Sequence, residues 1–248
     1  MRYYTAADVH GFYTPLTAAL RSAGYFDDPE PHKLVLLGDV LDRGSQPKEM
    51  QRFVLDMMDK DELVLVRGNH EDLFERLATT ENGVISSRHL RNGTYVSALT
   101  LTDTDRLDAV RRPWSLAARM RKTPFFTDII PASVNYFETD GHIFVHGWIP
   151  CVQEGDSFAP MPEWRSAGDE EWKKSRWYVG MDAVNFVREE KTILCGHRTS
   201  SYGHNKYEHK GPMHGEGADY SPYTAPGIIS IDGCTVRSGT VNVVVIEE

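Results

Sequence analysis

The sequence predicts an α/β fold in which parallel strands alternate with helices. In the first third of the chain, three apolar strand-like runs are separated by two amphipathic helical segments, which gives a βαβαβ order. This order is typical of parallel strands joined by right-handed crossovers. The length of 248 residues and an apolar content of 40% are sufficient for one large core. We therefore expect a single α/β domain over 1–248.

Hydrophobic periodicity places the regular elements of this first third. The pattern predicts strands at 2–7, 33–38 and 62–68 and helices at 14–24, 46–58 and 71–80. Pro15 stands near the start of the first helix and Gly24 just past its end, which are the positions that each residue prefers.

The later elements are less regular. The pattern predicts helices at 103–112, 114–121 and 176–188, a hairpin over 133–147, a strand at 191–196, and closing antiparallel strands at 227–233 and 242–248. We expect loop over 151–170, which contains several prolines. Two further stretches, 81–125 and 198–227, are expected to be insertions that act as lids.

Charge and cysteine content exclude several classes of protein. There are 27 Lys and Arg against 36 Asp and Glu, a net charge of −9, which argues against duplex nucleic acid as a partner. Cys151, Cys195 and Cys234 lie far apart and are expected to be reduced thiols. We find no apolar run long enough to span a membrane and no signal-peptide pattern before Asp8, so we expect a cytoplasmic protein.

Metal-capable side chains follow five of the predicted strands. They are Asp8 with His10, Asp39, Asn69 with His70 and Glu71, His146, and His197. Since ligands of open α/β sheets bind at the carboxyl ends of the strands, these side chains are expected to converge on one patch. Any one of them could be structural, for example a capped turn in "GNHE" or "GDVLDRG". Five coincident strand ends favour a functional site.

The chemistry that suits this set is two-metal phosphoester hydrolysis. Two cations roughly 3.5 to 4 Å apart need a bridging carboxylate, with imidazole and oxygen ligands around them, and together they activate water for in-line attack. Asp39 is the expected bridge. The first cation would take Asp8 and His10, and the second would take Asn69, His146 and His197. Mixed nitrogen and oxygen ligands suit Mn²⁺, our first expectation, and also Fe or Zn²⁺.

The same residues resemble the motifs of the calcineurin-like metallophosphoesterases. The chain reads "DVHG", "GDVLDRG", "GNHE", "VHGW" and "CGHR" in order. These are similar to D-x-H-G, G-D-x-x-D-R-G, G-N-H-E, H-A-G and G-H of the phosphoprotein phosphatase branch. The resemblance implies a four-layer α/β/β/α sandwich, in which two mixed β-sheets are flanked by helices.

The resemblance also implies catalytic roles. His70 matches the histidine that protonates the leaving group, and Asp42 matches the carboxylate that orients this histidine. Arg43 matches an arginine that binds the phosphoryl group. We expect Asn69 to contact the phosphate as well.

A second phosphate-binding arginine of the family lies between the last two metal histidines. Arg176 is our first choice for it, and Arg165 and Arg188 are alternatives. Arg67, which precedes "GNHE", would bind either phosphate or local carboxylates.

Two departures from the family pattern bear on the branch. Trp148 follows the third motif, and we expect it to pack rather than to line a pocket. Thr199 stands where nucleases and cyclic-nucleotide esterases carry a second metal histidine, which favours the phosphatase and diadenosine tetraphosphatase branch. In the histidine-rich stretch 197–214, only His197 is expected to bind metal.

The first expectation for function is a phosphoserine or phosphothreonine protein phosphatase, and the alternative is a hydrolase of bis(5'-nucleosyl) tetraphosphates or other small phosphate compounds. A nucleotide substrate would predict aromatic stacking near the metals. The aromatic residues considered for this role are Trp148, Trp164, Trp172, Trp177, Tyr202 and Tyr207. A catalytically inactive phosphate-binding module and a nuclease are weaker alternatives, since the acid and the ligands are all present and the net charge is negative.

Overall fold

The computed structural model describes residues 1–80 and 84–248, and it confirms the mixed α/β class with two mixed sheets flanked by helices. The strands are β1 (Arg2–Ala6), β2 (His32–Leu36), β3 (Leu63–Leu65), β4 (Phe137–Glu138), β5 (His142–Phe144), β6 (Cys151–Glu154), β7 (Ser157–Pro160), β8 (Thr192–Cys195), β9 (Tyr223–Ala225), β10 (Ile228–Ser230) and β11 (Val244–Glu247). The predicted positions of the first three strands and of the hairpin therefore agree with the structure to within a few residues.

The helices lie on the outer faces of the two sheets. They are α1 (Tyr13–Ser22), α2 (Pro47–Asp59), α3 (Asn69–Thr79), α4 (Ser87–Arg91), α5 (Thr94–Leu101), α6 (Arg106–Arg111), α7 (Pro113–Met120), α8 (Ile130–Ala132), α9 (Asp169–Ser175), α10 (Gly180–Ala183), α11 (Ser200–Glu208) and α12 (Thr235–Ser238). None of the helices in the described part of the chain combines the length and the hydrophobicity needed to cross a bilayer.

The two sheets bring their parallel strands into register. In the first sheet, with order β11-β1-β2-β3, Ala6 lies opposite Leu36 and Leu36 lies opposite Leu65. In the second sheet, with order β4-β5-β8-β10-β9, Phe144 lies opposite Leu194, and β8 and β10 are also parallel. The central strands of each sheet therefore end side by side, and the loops that follow them begin at a common edge.

Three apolar layers hold the sandwich together. Successive side chains of β2 and the residue after it alternate between two of these layers: Leu34 and Leu36 pack against the helices, while Val35 and Leu37 pack between the sheets. This alternation explains why the chain is apolar from Leu34 to Leu37, since both faces of the strand are covered there. The layer between the sheets joins residues of both sheets, which are Ala7, Val35, Leu37, Val66, Phe144, Leu194, Ile231 and Ile246.

The predicted helix at 176–188 is wrong. The structure has α9 ending at Ser175 and the short helix α10 beginning at Gly180. The helix ends here because the loop after β5 binds the last carbonyl of α9: the backbone nitrogen of Trp148 donates to the Ser175 carbonyl. A side chain at Gly147 would meet that same carbonyl oxygen at 2.5 Å, so the two backbones are in close contact. Arg176 thus follows a helix instead of beginning one.

Two other predictions need correction. The stretch 151–170 contains a hairpin, in which Cys151 pairs with Pro160 across β6 and β7, because Gly155 with its φ of 62° provides the turn. The two closing strands belong to different sheets, because α12 and its flanking loops carry the chain from one sheet to the other. β10 pairs with β8 and β9, and β11 pairs with β1.

The first predicted insertion, 81–125, contributes side chains to the apolar core between the first sheet and its helices. Tyr95, Ala98, Leu116 and Met120 join the same apolar core as α1 and α2. Residues 81–83, at the start of this stretch, lie outside the described residues. The second predicted insertion contains α11 and β9. That either stretch acts as a lid stays a prediction.

Candidate metal centre and active site

The structure brings the predicted metal ligands together at the edge where the strands end. The backbone nitrogen of His197 donates to Asp8 Oδ2 at 2.7 Å, although 189 residues separate the two. Asp39 Oδ1 accepts from the backbone nitrogen of His70 at 2.9 Å. The predicted ligands are buried, apart from His197, which is partly exposed. The convergence expected from five strand ends is therefore present in the fold.

The turns that carry these side chains adopt unusual backbone conformations. In the described part of the chain, ten residues other than glycine have a positive φ, and six of them are predicted site residues: Asp8, His10, Asp39, Asp42, Arg43 and His197. Such conformations are disfavoured for residues with a side chain and are concentrated at functional sites. Neighbouring glycines allow this crowding, since a Cβ at Gly196 would lie 2.2 Å from Asp8 Oδ2.

Two of the histidines are oriented by backbone carbonyls behind them. His10 Nδ1 donates to the Leu41 carbonyl at 3.0 Å, and His146 Nδ1 donates to the Leu37 carbonyl at 2.6 Å. This leaves the Nε2 lone pair of each ring facing the site, as in metal-binding histidines. Burial, together with nearby histidines, lowers the pKa of both rings well below the usual value, so both are neutral and able to bind a cation.

The two oxygens of Asp39 face two separate groups of side chains. Oδ2 lies 3.9 Å from His10 Nε2 and 3.7 Å from His70 Nε2, and Oδ1 lies 3.5 Å from His146 Nε2. His197 completes the second group with Asp39 and His146, as the sequence predicts. The first group contains His70 in addition to His10, while Asp8 Oδ1 stands 3.9 Å from His10 Nε2. Asp39 therefore occupies the position between the groups.

The electrostatics of this cluster fit divalent cations. Burial, followed by the negative charges of Asp232 and Asp39, raises the pKa of Asp8 well above its ordinary value. Burial and the negative charge of Glu71 do the same to the pKa of Asp39. Asn69 Oδ1 lies 2.7 Å from His146 Nε2, so two acceptors point at one place. Buried carboxylates and converging acceptors of this kind are stabilised by a bound cation.

His70 and Asp42 form a closely coupled pair. His70 Nδ1 lies 2.6 Å from Asp42 Oδ2, and that oxygen also accepts from Thr94 Oγ1 at 2.6 Å. The backbone nitrogen of Asp42 donates to Ser97 Oγ at 3.0 Å. Burial raises the pKa of Asp42 to about 6, although the hydrogen bonds of Thr94 and Ser97 oppose this effect. Helix α5, which carries Thr94 and Ser97, thus holds the carboxylate against the His70 ring.

Arg43 reaches the rim of the cluster. Its Nη1 donates to His10 Nε2 at 2.7 Å, and its Nη2 donates to His70 Nε2 at 3.2 Å. Asn92 Oδ1 lies 3.4 Å from Nη2 on the outer side. One lone pair on His10 cannot serve the guanidinium and a cation together, so cation binding at His10 requires the guanidinium to move outward.

The other predicted arginines are held by carboxylates or carbonyls. Arg176 Nη1 contacts both oxygens of Asp72, at 2.9 and 2.7 Å, and its Nη2 contacts Asn135. Arg67 binds Asp72 and Glu75. The alternatives to Arg176 lie elsewhere: Arg165 pairs with Glu138 and Glu189, and Arg188 donates to the Val184 carbonyl. A phosphate contact by any of these arginines stays a prediction.

Glu71 has a structural role that sequence reasoning missed. Its buried carboxylate accepts from the backbone nitrogens of Asp39, Val40 and Gly68, at 2.9, 3.0 and 2.8 Å. It therefore ties the turn that carries Asp39 to the start of α3. The "GNHE" motif contains this residue, but the motif alone does not reveal which backbone groups it binds.

We expect Glu71→Gln to weaken the site without touching a ligand. An amide has one acceptor oxygen where the carboxylate has two, so at least one buried backbone N–H should lose its partner at a cost of about 1–3 kcal/mol. Thermal unfolding and metal titration should show lower stability and weaker binding. Glu190→Gln, at an exposed position away from the site, is the matched control. Unchanged stability in Glu71→Gln would contradict this role.

Asp232 is a carboxylate at a sixth strand end, which the sequence patterns also contain but which was not among the predicted site residues. It follows β10 and is buried, and its Oδ1 accepts from the Cys234 backbone nitrogen at 2.7 Å. Burial raises its pKa to about 6. The rule applied to the other five strand ends would have found it in "GIISIDG".

The aromatic residues considered for stacking divide by exposure. Trp148, Trp164 and Trp172 are buried in the apolar core between the second sheet and its helices. Trp148 therefore packs, as expected, and does not line a pocket. Tyr202 and Tyr207 bind Asp182. Trp177 is 39% exposed, and its ring centroid lies 5.7 Å from that of His197.

The remaining histidine-rich stretch is ordered by local contacts. His204 contacts Glu208 at 2.8 Å and the Ser221 carbonyl at 3.1 Å. Among the described residues, the groups with metal-ligand geometry include His197 from this stretch and none of its later histidines.

Curated relatives match only parts of this chain. The bis(5'-nucleosyl)-tetraphosphatase PrpE [asymmetrical] of Halalkalibacterium halodurans is 27% identical over 116 residues, which are 44% of this chain and 46% of the relative. Its counterpart in Bacillus subtilis is 36% identical over 76 residues, 28% of this chain and 31% of the relative. The chain thus spans less than half the length of each of these relatives.

Solved structures match the fold more completely. The cold-active protein-tyrosine phosphatase of a psychrophilic Shewanella species has a TM-score of 0.55 at 16% identity, covering 100% of this chain and 75% of its own. A point mutant of a cold-active protein tyrosine phosphatase has a TM-score of 0.57 at 17% identity with the same coverage. These similarities support the fold alone.

A family model described as calcineurin-like phosphoesterase matches residues 1–220, a range that includes each of the five motifs. Together with the two-sheet sandwich and the cluster at its edge, this match shows that the chain belongs to the calcineurin-like phosphoesterase family.

Proposed function

We propose that the protein is a two-metal phosphoester hydrolase. The observation that carries this proposal is the position of Asp39, whose two oxygens face two groups of neutral, oriented histidines. A pair of divalent cations bound there supplies charge neutralisation for the phosphoryl oxygens and activation of water. The ligands proposed for them are Asp8, His10, Asp39, Asn69, His146 and His197.

The chain's own residues supply the rest of the chemistry. His70, hydrogen-bonded through Nδ1 to Asp42, donates the proton that the leaving oxygen needs. The Asp42 carboxylate keeps the ring in orientation. Burial and the positive charge of Arg43 lower the pKa of His70, so the Asp42 charge supports the protonated ring once the guanidinium turns to the phosphate. Arg43 provides a planar pair of donors for the phosphoryl oxygens at the rim of the site, and Asn69 provides a further contact to the phosphate.

Two substrate classes remain from the sequence analysis. Phosphoserine and phosphothreonine proteins suit the motifs, whereas the names of the curated relatives favour dinucleoside polyphosphates. A panel with a phosphothreonine peptide and diadenosine tetraphosphate would separate them by their kcat/KM values.

The proposed activity can be tested with metal-depleted protein and para-nitrophenyl phosphate. We expect turnover to be absent after chelation and to return when Mn²⁺ is added. An active protein excludes the inactive phosphate-binding module. If no phosphoester in the panel is hydrolysed with Mn²⁺, Fe²⁺ or Zn²⁺, the proposal is wrong.

Arg43→Ala is expected to lower kcat/KM while leaving metal content intact. The guanidinium contributes to binding of the phosphoryl group, and removal of one such donor costs about 100- to 1000-fold in rate. Metal affinity should not fall, because the substitution frees His10 Nε2. The measurements are steady-state kinetics and the metal content per chain. Arg52→Ala, an exposed arginine on α2, is the control. Loss of metal in Arg43→Ala would contradict the phosphate-binding role.

A further inference from the structure

Trp177 lies at the mouth of the metal centre and stands apart from the other aromatic residues named above. Its indole meets the His197 ring at an interplanar angle of 79°, with 5.7 Å between the ring centroids. The Arg88 guanidinium lies over the indole, 5.1 Å from the ring centroid. Trp177 thus lies between α4, which carries Arg88, and the proposed metal ligand His197.

The indole borders three cavities. The first, of about 460 Å³, is lined by Asn69, Arg88 and Trp177, so it borders the proposed metal centre at Asn69, one of the proposed ligands. The second, of about 760 Å³, is also lined by Arg88 and Trp177, and a third of about 560 Å³ is lined by Trp177 with Tyr178. A group attached to a phosphate at the metals would therefore lie within reach of this ring.

The charges of the first cavity argue against a site for further phosphates. It is lined by three acidic and three basic side chains, which are Asp72, Glu75, Glu170, Arg76, Arg88 and Lys173. A balanced wall has no net attraction for an anion. What it offers to a leaving group is the exposed part of the indole and the outer face of the Arg88 guanidinium that lies over it.

We infer that Trp177, together with Arg88, forms a leaving-group subsite for a planar aromatic ring. The substrate class is a phosphoester or phosphoanhydride whose leaving group carries either an aryl ring or a nucleobase. This inference rests on the proposed hydrolase function. Stacking on an aromatic side chain is worth about 1–3 kcal/mol when measured by alanine substitution. Each 1.4 kcal/mol corresponds to a factor of ten, so the effect on selectivity is measurable.

The test uses pairs of substrates that differ in the planar group. Phenyl phosphate and cyclohexyl phosphate form the aryl pair, and AMP and ribose 5-phosphate form the nucleobase pair. For each pair, the ratio of kcat/KM values is compared between the wild-type protein and Trp177→Ala, which cancels intrinsic differences in reactivity. We expect the ratio to fall about tenfold or more in at least one pair. The pair that responds identifies the source of the ring.

Matched variants separate stacking from structure. Trp177→Phe should retain most of the selectivity, whereas Trp177→Leu, which keeps apolar bulk without a π face, should lose it. Trp114→Ala removes an exposed tryptophan of α7 and should change neither ratio. Metal content is measured in each variant, because Trp177 also supports His197.

The possible outcomes are distinct. If the wild-type protein hydrolyses these esters and the Trp177 variants lower both members of each pair equally, or change neither, the subsite is refuted while the hydrolase proposal stands. If the wild-type protein hydrolyses none of them with any metal, the proposed function itself fails. Selectivity retained in Trp177→Leu would likewise overturn the stacking role.

Discussion

Replacing His70 with alanine should lower kcat by about 100- to 10,000-fold, the range expected for loss of a general acid. The loss should grow with the basicity of the leaving group. para-Nitrophenolate leaves as a stable anion and needs little protonation, whereas the alkoxide of a serine or sugar ester needs a full proton. The decisive measurement is therefore the ratio of the His70→Ala effects on an alkyl ester and on para-nitrophenyl phosphate. Asp42→Asn should show the same trend with a smaller amplitude.

Metal content distinguishes the acid from a ligand. His70 lies with His10 and Asp39 in one of the two groups that have metal-ligand geometry, so its imidazole could in principle bind a cation. We expect His70→Ala to retain its metals, because Asp8 and His10 remain. His204→Ala removes a buried imidazole that is bound to Glu208 and is the control. Should His70→Ala lose metal, His70 is a ligand and the acid lies elsewhere.

Replacing Asp39 with alanine should abolish metal binding and activity together. Asp39 is the residue whose carboxylate faces both histidine groups, so its removal takes one oxygen from each. Mass spectrometric metal analysis should fall from two cations per chain to none, and turnover should fall to background. Retention of two cations by Asp39→Ala would refute the bridging role.

Thermal stability gives an independent measure of the same loss. A ligand that binds only the folded chain stabilises it by about 2.7 kcal/mol at 100 times its Kd. We therefore expect Mn²⁺ to raise the Tm of the wild-type protein and to leave that of Asp39→Ala unchanged. Asp61→Asn is a suitable control, because Asp61 also has a positive φ, of 56°, but its side chain is 90% exposed.

The sequence predicted the convergence of the site because that convergence depends on local patterns. Each parallel strand is a short apolar run, and the polar residue after it can be read directly. The register of β1, β2 and β3 then places Asp8, Asp39 and Asn69 at one edge. Applied consistently, the same rule would have included Asp232.

The parts of the site that the sequence did not predict depend on contacts between distant residues, which leave no local pattern. Thr94 and Asp42 are 52 residues apart, and nothing in the helix α5 indicates that its threonine binds a carboxylate. The end of α9 at Ser175 is set by the loop containing Gly147 and Trp148, which packs against it. Sequence patterns predicted instead a helix that begins at Arg176. Sequence patterns also do not distinguish Trp177, which is partly exposed, from the tryptophans at 148, 164 and 172, which are buried.

The central claim is that side chains from five strand ends hold two cations on either side of Asp39. Anomalous diffraction from crystals soaked in Mn²⁺ tests it most directly. We predict two peaks about 3.5–4 Å apart that flank the Asp39 carboxylate, one beside His146 and His197 and the other beside His10 and Asp8. A single peak, or peaks away from Asp39, would contradict the account.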